Sequence, residues 1–346
     1  MKRLFCLLLA SVLCVSMSAC SLPFLETEHV HTWLSATCAS PAVCETCGET
    51  LGEPLPHSYG APVMDLPAGK VTDGKQHRTC SVCGFVLNEE IPATGSEGLS
   101  YERNEDGASC TVTGLGTCTD TELFIPAAID GLTVTTIGTL AFEDCAELTT
   151  VHIPNTVTEI KSSAFVFCEG LTEVTVPDSV VTLGSSVFVG CENLQKVTLS
   201  QNITGVLDGV FSECESLQSV NIPAGITGID GNCFRACKSL QAIQIPVGVT
   251  YIGIDTFLGC KSLKEVEVPE GVTSLGYNSF FTAGLERITL PSTLKEIGCQ
   301  SFGDCHDLKE IRFNGTTELW DSVYLESGWD NGAGDYTVIC TDGQIH

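Results

Sequence analysis

A phenylalanine recurs at a nearly constant interval from residue 142 to residue 302, and this repeat constrains the fold more than any other feature. The eight positions, separated by 23 residues six times and then by 22, are Phe142, Phe165, Phe188, Phe211, Phe234, Phe257, Phe280 and Phe302. A fixed period of this length is typical of a solenoid, in which each repeat forms one coil and buries its apolar side chains by stacking on its neighbours. We therefore expect about eight coils around one continuous core.

Fixed offsets from the phenylalanine describe the rest of one coil. In the first coil Val151 and Ile153 precede Pro154, and an aliphatic–Thr step then leads to Ile160. The alternation predicts a short strand that ends at the proline, a second short extended piece, and a helical or 3₁₀ turn that carries the phenylalanine. Stacking would turn each position into a ladder, and one ladder of threonines is expected. Its members are Thr135, Thr158, Thr204, Thr227, Thr250 and Thr273.

Cysteine stands three residues after the phenylalanine in seven of the eight coils. The seven are Cys145, Cys168, Cys191, Cys214, Cys237, Cys260 and Cys305, and Ala283 takes the place in the remaining coil. Strand spacing would bring neighbours to about 4.8 Å, within the Cα range of a disulfide. Cysteine is also a small apolar core residue. Since a bridge would not tolerate Ala283, we expect packed thiols.

The composite pattern I-P-x-x-V-T-x-I-G-x-x-A-F-x-x-C-x-x-L-x-x-V resembles the BspA-type leucine-rich repeats of bacterial surface proteins. The resemblance covers about 250 residues, including an N-terminal hairpin cap, in which Cys110 and Cys118 would pair if oxidised, and a C-terminal cap. It implies a β-rich solenoid with the N-terminal cap and first coil start in 97–134, the leucine-rich repeats in 135–313 and the C-terminal cap in 314–346. It also implies a non-catalytic adhesion protein of the cell surface.

The outward strand positions, on the side that we expect to be concave, form the best candidate for a binding surface. They are mostly small or neutral and polar, but the last three coils concentrate charge at Glu265, Glu267, Arg287, Glu310 and Arg312. Few aromatic residues occur there, so a sugar-stacking groove is not indicated. A flat polar sheet suits a protein partner, although a merely solvated face fits the same residues.

The first 19 residues have the construction of a bacterial export signal. Two basic residues precede an apolar run that is too short to span a bilayer. Cys20 follows Met17-Ser18-Ala19, which resembles the lipobox of bacterial lipoproteins. This resemblance implies an extracellular protein anchored to the membrane only through a lipid on Cys20, with 20–28 as a linker. Ordinary signal cleavage after Ser18 is the alternative.

Residues 29–96 hold five cysteines and four histidines but little hydrophobic periodicity, so this segment needs a staple in order to fold. Two Cys-x-x-Cys-Gly sequences would each place two sulfurs on one tight turn. Cys44, Cys47, Cys80 and Cys83 would then form a tetrahedral zinc site, as in zinc ribbons. The 32 residues between the two sequences exceed the usual ribbon spacing.

A second arrangement divides the same ligands into two successive units. These units resemble a short tandem module of clostridial surface proteins, and the resemblance implies zinc ligands in both. The ligand set is Cys38, Cys44, Cys47, His57, His77, Cys80 and Cys83. Disulfides are the alternative for an exported segment, although five cysteines leave one over, and unliganded thiols are a third reading.

Charge and motif content exclude several functions. The chain has 16 Lys and Arg against 43 Asp and Glu, a formal net charge of −27, which repels a nucleic-acid backbone. The histidines of the coils, His152 and His306, have no spaced Ser or Cys partner, and no phosphate loop or H-E-x-x-H motif occurs. We therefore predict a monomeric, non-enzymatic protein that binds a protein partner. The alternative is a structural or colonisation component without a dedicated ligand.

Overall fold

The computed structural model describes the chain in one long stretch and several short ones. The described residues are 19–20, 29–30, 33–34, 42–44, 50–51, 58–59, 61, 63–66, 74–81, 85–91 and 94–345. The chain divides into two compact units. The N-terminal unit comprises Met1–Pro67 and Gly74–Ile91, and the repeat unit comprises Ala68–Asp73 and Pro92–His346.

In the N-terminal unit all described strand pairs are antiparallel. The strands are β1 (Ala19–Cys20), β2 (His29–Val30), β3 (Trp33–Leu34), β4 (Ala42–Cys44), β5 (Thr50–Leu51), β6 (Val63–Leu66), β7 (Gly74–Thr79) and β8 (Val86–Ile91). β1 pairs with β2, while β3–β4–β5 and β6–β7–β8 form two three-stranded sheets. The two Cys-x-x-Cys sequences start at Cys44, the end of β4, and at Cys80, directly after β7. Each therefore begins at the connection of a hairpin.

The repeat unit consists mainly of short strands and turns. Its elements are β9 (Ser100–Arg103), β10 (Ser109–Gly114), β11 (Glu122–Phe124), β12 (Ala128–Ile129), β13 (Leu132–Ile137), β14 (Thr150–His152), β15 (Glu159–Ile160), β16 (Glu173–Thr175), β17 (Thr182–Leu183), β18 (Lys196–Thr198), β19 (Thr204–Asp208), β20 (Ser219–Val220), β21 (Gly225–Asp230), β22 (Tyr251–Ile252), β23 (Glu265–Glu267), β24 (Ser274–Leu275), β25 (Arg287–Leu290), β26 (Glu296–Ile297), β27 (Glu310–Phe313), α1 (Thr317–Asp321), β28 (Tyr324–Leu325), β29 (Thr337–Cys340) and β30 (Gly343–Ile345).

These strands form two parallel ladders, one for each strand of the coil. The first ladder runs from β11 through β14, β16, β18 and β20, and resumes from β23 through β25 and β27 to β29. The second ladder contains the strands that precede the phenylalanine turns. Equivalent residues pair in register, as Val151, Val174 and Val197 do. The repeat unit is a β-solenoid of about 10 turns of roughly 23 residues, so the predicted leucine-rich repeat fold is confirmed.

The phenylalanines form one continuous stack inside the solenoid. Every ring is fully buried and nearly parallel to the next, with centroids 5.1 to 5.9 Å apart and interplanar angles of 3° to 16°. Each buried aromatic side chain contributes about 1.5–3 kcal/mol, and an aromatic contact adds about 0.5–1.5 kcal/mol. The stack ends on Trp329, which meets Phe302 edge-on at 5.7 Å. This ladder is therefore a major source of cohesion between coils.

Antiparallel hairpins close both ends of the repeat unit. At the N-terminal end β9 folds onto β10, and at the C-terminal end β30 folds onto β29. The helix α1 begins after Thr316, whose hydroxyl accepts the N–H of Leu319 at 3.2 Å. This helix places Trp320 edge-on against Phe313 at 5.2 Å. The apolar surface of the terminal coils is thereby covered, as a finite solenoid requires.

The segment around each phenylalanine is a hydrogen-bonded turn, so the expected helical or 3₁₀ turn was wrong. The residues two before and two after the phenylalanine have positive φ in all eight coils, as Ser163 and Phe167 do at 58° around Phe165. A left-handed residue at both positions prevents helical continuation. The turn is instead held by the next coil, since the N–H of Phe165 donates to the Val187 carbonyl at 3.0 Å.

The threonine ladder forms through bonds from side chain to main chain. The Thr250 hydroxyl donates to the Thr227 carbonyl at 3.1 Å, and the Thr273 hydroxyl donates to the Thr250 carbonyl at 3.2 Å. Thr204 departs from the prediction because its register partner is Gly225 and not Thr227. Each hydroxyl thus reinforces the main-chain bond between the same two coils.

The first ladder is interrupted in the coil that follows Phe234. Residues 241–244, expected to be a strand, pair with neither β20 nor β23. One coil earlier, the side chain of Asn221 makes a hydrogen bond to the neighbouring coil that the main chain makes at the equivalent position of the preceding coil. Its Oδ1 accepts the N–H of Leu199 at 3.0 Å, and its Nδ2 donates to the Leu199 carbonyl at 3.2 Å. Since this amide occupies both main-chain groups of Leu199, β20 ends at Val220.

Candidate functional site

The predicted partner-binding residues lie on the surface of the first ladder that points away from the core, here called the outer face. In β23 the buried Val266 lies between the exposed Glu265 and Glu267. The same exposed–buried–exposed order occurs in β16 and β18. Parallel register therefore aligns the outward side chains of successive coils in two rows at strand spacing.

Three of the predicted residues form an ion-paired row across β23, β25 and β27. Glu265, Arg287 and Glu310 are direct register partners. Arg287 Nη1 lies 2.5 Å from Glu265 Oε1, and Arg287 Nε lies 3.2 Å from Glu310 Oε1. Arg312 contacts the same oxygen of Glu310. The structure thus brings these four residues together, and their charges are largely balanced within the cluster.

The remaining member, Glu267, is exposed and belongs to the second outward row, with Thr289 and Arg312 as register partners. Within the described part of the chain, no basic nitrogen lies within 4.0 Å of its carboxylate. Exposed ion pairs such as Glu265–Arg287 contribute only about 0–1 kcal/mol. The side chains of this cluster can therefore exchange an internal partner for an external one at small energetic cost.

A groove of about 480 Å³ lies near the other end of the outer face, across β14 and β16. Its lining includes Thr150, His152, Asn155, Glu173 and Thr175. The His152 ring is stacked on Phe124 of β11, with centroids 4.1 Å apart and an interplanar angle of 4°. His152 Nε2 also lies 3.0 Å from Glu122 Oε1. This groove combines a held aromatic pair, hydroxyl groups and carboxylates.

Sequence reasoning assigned 97–134 to the cap and its first coil start, and so missed the contribution of β11 to this groove. Glu122 and Phe124 are register partners of Thr150 and His152. The signal that marks them is the alternation Glu122-Leu123-Phe124, in which only the leucine is buried. β11 lies 28 residues before β14, whereas the repeat period is 23 residues. The periodic pattern therefore does not identify β11 as part of the ladder.

The cysteines of the ladder form hydrogen bonds between coils in addition to packing in the core. Six thiols donate to the carbonyl oxygen of the phenylalanine one coil earlier, at distances between sulfur and oxygen of 3.0 to 3.2 Å. They are Cys168, Cys191, Cys214, Cys237, Cys260 and Cys305. Cys145, in the first coil, instead reaches the carbonyl of Glu143 at 3.6 Å. The pattern predicted packed thiols, but the bond between coils was not foreseen.

None of these thiols is suited to nucleophilic chemistry. All twelve cysteines between residues 110 and 340 are free thiols, including Cys110 and Cys118. Burial raises the pKa of Cys305 to about 12 and raises the pKa of Cys191 well above its usual value. Because the thiolate is the reactive form, the buried ladder thiols, whose pKa is raised, remain protonated and inert at neutral pH. The expectation of packed thiols is confirmed.

Most of the predicted zinc ligands lie outside the described residues: Cys38, Cys47, His57, Cys83 and the side chain of Cys44. Cys80 is buried, and its N–H donates to the Phe85 carbonyl at 2.8 Å across the hairpin connection. This tight connection and the buried sulfur suit a knuckle ligand. His77 lies three residues earlier on β7, so strand alternation directs it to the opposite face of β7 from Cys80.

The anchoring prediction also falls largely outside the described residues, since the side chain of Cys20 and residues 1–18 are not among them. No group of three or more His, Cys, Asp and Glu side chains that would hold a metal ion occurs in the described part of the chain. A search of those same residues finds no helix with the length and apolarity needed to cross a membrane.

Comparison with known proteins gives a family match and several structural likenesses. The sequence pattern described as "BspA type Leucine rich repeat region (6 copies)" matches residues 121–241 and 227–327. No curated protein sequence matches the chain. A leucine-rich repeat protein from Bacteroides ovatus is 21% identical with a TM-score of 0.42, and the match covers 70% of this chain and 77% of that one. A leucine-rich cell surface protein from Faecalibacterium prausnitzii is 24% identical with a TM-score of 0.33, with coverage of 69% and 98%.

Proposed function

Because the chain belongs to the BspA-type leucine-rich repeat family, we propose that it is a non-catalytic cell-surface protein that binds a protein partner through the outer face. The observation that carries this proposal is the outer face itself. Its parallel strands present aligned rows of exposed polar side chains on a backbone that the Phe and Cys ladders hold in place. A preorganised surface binds at a smaller entropic cost than a mobile one.

The charged cluster of Glu265, Glu267, Arg287, Glu310 and Arg312 is the part of the outer face proposed to contact the partner. Arginine is enriched in protein interfaces, where its planar group forms paired hydrogen bonds with carboxylates. Arg287 already lies between two carboxylates. A partner that offers both signs of charge would find complementary groups within two strand spacings.

The test is capture of surface proteins by the immobilised full chain at micromolar concentration. We expect a retained protein that is lost with the double variant Glu265→Lys/Glu267→Lys. The matched control is Glu143→Lys/Glu169→Lys, which changes the charge equally at exposed turn positions outside the first ladder. Failure to retain any protein would refute the binding proposal and favour the structural surface component. Equal loss with both variants would refute the assignment to the outer face.

We also propose that the chain is exported and anchored to the bacterial membrane through a lipid on Cys20. The support is the basic and apolar N-terminal sequence and the lipobox-like residues before Cys20. A diacylglycerol group supplies two chains, which suffice for stable anchoring. The variant Cys20→Ala should leave the membrane fraction, whereas Cys118→Ala should not. Continued membrane association of Cys20→Ala would refute lipid anchoring.

Zinc is the proposed staple of residues 29–96. The start of each Cys-x-x-Cys sequence at a hairpin connection and the buried Cys80 support this proposal. We expect about one zinc or more per full chain after purification without chelator. The metal content should fall in Cys80→Ser but not in Cys299→Ser. Less than about 0.2 zinc per chain would refute the proposal.

A further inference from the structure

We propose that the groove across β14 and β16, with the adjoining wall formed by His152 and by Glu122 and Phe124 of the neighbouring strand β11, binds an extended peptide segment of a partner protein that carries lysine or arginine side chains. This inference rests on the proposed function and adds the chemistry of the partner. It also adds a second contact, at the opposite end of the outer face from the charged cluster. Three features of the described residues support it: the spacing of the lining, the local charge and the aromatic wall.

The spacing of the groove lining suits an extended chain. Thr150 and Glu173 are register partners, and so are His152 and Thr175. Neighbouring strands lie about 4.8 Å apart, and residues i and i+2 of one strand lie about 6.6–6.8 Å apart. The second distance equals the spacing of alternate side chains in an extended peptide. A peptide lying along these strands would therefore meet a polar group at each alternate residue.

The charge around the groove selects a cationic segment. Nine Asp and Glu residues, and no lysine or arginine, occur in the sequence between Arg103 and Lys161. Glu173 lines the groove with its side chain 52% exposed, and Glu122 adjoins it through its contact with His152, with its side chain 58% exposed. Lys196 is paired with Glu173 at 2.8 Å. Because a field of one sign concentrates ligands of the opposite sign, an acidic segment is disfavoured and a basic one is attracted.

The aromatic wall adds a contact that a simple acidic surface lacks. Phe124 and His152 are stacked with an angle of 4° between their planes, and the His152 side chain remains 48% exposed. The 3.0 Å contact between His152 Nε2 and Glu122 Oε1 holds the imidazole in this orientation. Lysine and arginine pack their methylene stems on such surfaces while their charged ends remain near carboxylates. The wall therefore favours a long basic side chain over a small inorganic cation.

The experiment measures binding of two fluorescein-labelled octapeptides, one alternating Lys and Ser and the other alternating Glu and Ser, to the full chain. Fluorescence anisotropy at about 0.15 M salt limits long-range attraction to about 8 Å. We expect the Lys–Ser peptide to bind and the Glu–Ser peptide not to bind. The double variant Glu122→Gln/Glu173→Gln should weaken binding of the Lys–Ser peptide at least tenfold.

The matched control is Glu143→Gln/Glu169→Gln, which removes two exposed carboxylates that do not line the groove. This control should change the dissociation constant less than twofold. Equal weakening by both double variants would overturn the groove assignment, because it would show attraction to net charge alone. Absence of Lys–Ser binding at millimolar peptide, or equal binding of both peptides, would also overturn it. If capture of a protein still depends on Glu265 and Glu267 in those cases, the proposed function stands while this inference fails.

Discussion

At the scale of single residues, the cysteine in each coil is explained by a bond and not by volume alone. The Cys191 thiol donates to the Phe165 carbonyl at 3.2 Å, and both groups are buried. A donor at this position therefore links two coils at the point where their phenylalanines stack. Ala283 shows that one coil can omit this bond.

We expect Cys191→Ala to lower the free energy of unfolding by about 1–2 kcal/mol, because it removes a buried donor and leaves a small cavity. Urea unfolding monitored by circular dichroism measures this loss. The control is Cys145→Ala, where the thiol is partly exposed and reaches only a carbonyl in its own turn. A loss below about 0.5 kcal/mol is expected there. Equal losses in the two variants would contradict the role assigned to the thiol bond.

Gly190 tests a second residue-level feature, the left-handed turn position. Its φ is 70°, and a Cβ there would lie 2.3 Å from the Phe167 ring. Gly259 occupies the equivalent position at φ 74°, but its Cβ would lie 3.7 Å from the nearest atom. Gly259→Ala should cost about 1 kcal/mol from backbone strain alone. Gly190→Ala should cost more than Gly259→Ala because of the additional clash with the Phe167 ring. The melting temperature of Gly190→Ala should therefore be the lower of the two.

The double variant Gly190→Ala/Phe167→Ala separates the cost of backbone strain at residue 190 from the cost of the clash with the Phe167 ring. Removing the ring should return the cost of the Gly190 substitution to that of Gly259→Ala. This comparison uses Phe167→Ala as its reference, because truncation of a 43% exposed ring has a cost of its own. If the added cost at Gly190 persists without the ring, the close approach of Phe167 is not its cause.

At the scale of elements, Asn221 determines where one strand stops. Its amide makes two hydrogen bonds with the main chain of Leu199. One coil earlier, the carbonyl of Thr198 itself accepts the N–H of Val176 at 2.8 Å. Asn221→Ala would leave the Leu199 N–H without its partner, while the Leu199 carbonyl still accepts from the Gln201 side-chain amide at 3.2 Å, and should cost about 1–3 kcal/mol. Thr198→Ala should cost less than about 0.5 kcal/mol, since its bond belongs to the main chain.

Urea unfolding of the two variants checks this contrast. A small cost for Asn221→Ala would mean that the main chain of residue 221 can replace the side chain, so that β20 lengthens. Amide hydrogen exchange at Leu199 distinguishes these cases, because its N–H is bonded to the Asn221 side chain in the described structure. Retained protection of that N–H in Asn221→Ala would contradict the capping role.

The elements also show how far sequence reasoning extends in this chain. The period of Phe142 and its equivalents was sufficient to predict the two strands of each coil, because the same pattern of buried residues recurs in every stacked repeat. The turn conformation was not predictable in the same way. Ser163, Glu213 and Gln300 all adopt positive φ there, and no single residue type marks such a position. The unpaired segment 241–244 was not predictable either, because its residues continue the same repeat pattern as the coils that do form the strand.

For the candidate sites the limit was different. Outward positions such as Glu265 and Arg312 follow directly from strand alternation, and the structure places them on the expected face. Their pairing was not derivable, because it depends on which rotamers meet across β23, β25 and β27. The groove at His152 escaped notice because β11 lies outside the 23-residue period. Sequence patterns thus identify faces reliably and contacts between side chains poorly.

At the scale of the whole molecule, a solenoid depends on its ends, because each coil contacts only its neighbours. Trp329 covers the last ring of the phenylalanine stack and also contacts Trp320 at 6.2 Å and Tyr336 at 6.1 Å. Because Trp329 is only partly buried, Trp329→Ala should cost less than the about 3–5 kcal/mol that is lost when a fully buried aromatic side chain is truncated. The loss should be local at first, with faster amide exchange in β27 and β29 and unchanged exchange in β13 and β15. Uniform acceleration along the repeat unit would contradict this nearest-neighbour behaviour.

The buried thiols make the stability of the whole repeat unit sensitive to alkali. Burial raises the pKa of ten thiols in the described part of the chain, and most strongly that of seven of them, while a thiol in an unfolded chain has a pKa of about 8.5. The seven are Cys168, Cys191, Cys214, Cys233, Cys237, Cys260 and Cys305. Above pH 8.5 the unfolded state therefore loses protons that the folded state retains. The free energy of unfolding falls by up to about 1.4 kcal/mol per pH unit for each such thiol.

We expect the melting temperature to be nearly constant from pH 7 to 8 and to fall steeply from pH 9 to 10. Fluorimetric melting in a reducing agent measures this, since disulfide exchange in the unfolded chain would otherwise interfere. The double variant Cys168→Ala/Cys191→Ala is less stable at neutral pH. Its free energy of unfolding should nevertheless fall less steeply with pH, by up to about 2.8 kcal/mol per pH unit. The control Cys118→Ala/Cys299→Ala removes two partly exposed thiols, and an equal change of slope in this control would contradict the role of burial. A melting temperature that stays constant from pH 7 to 10 would contradict the protonated thiol ladder. Buried thiols with a raised pKa must lower the free energy of unfolding once the pH exceeds the pKa of thiols in the unfolded chain.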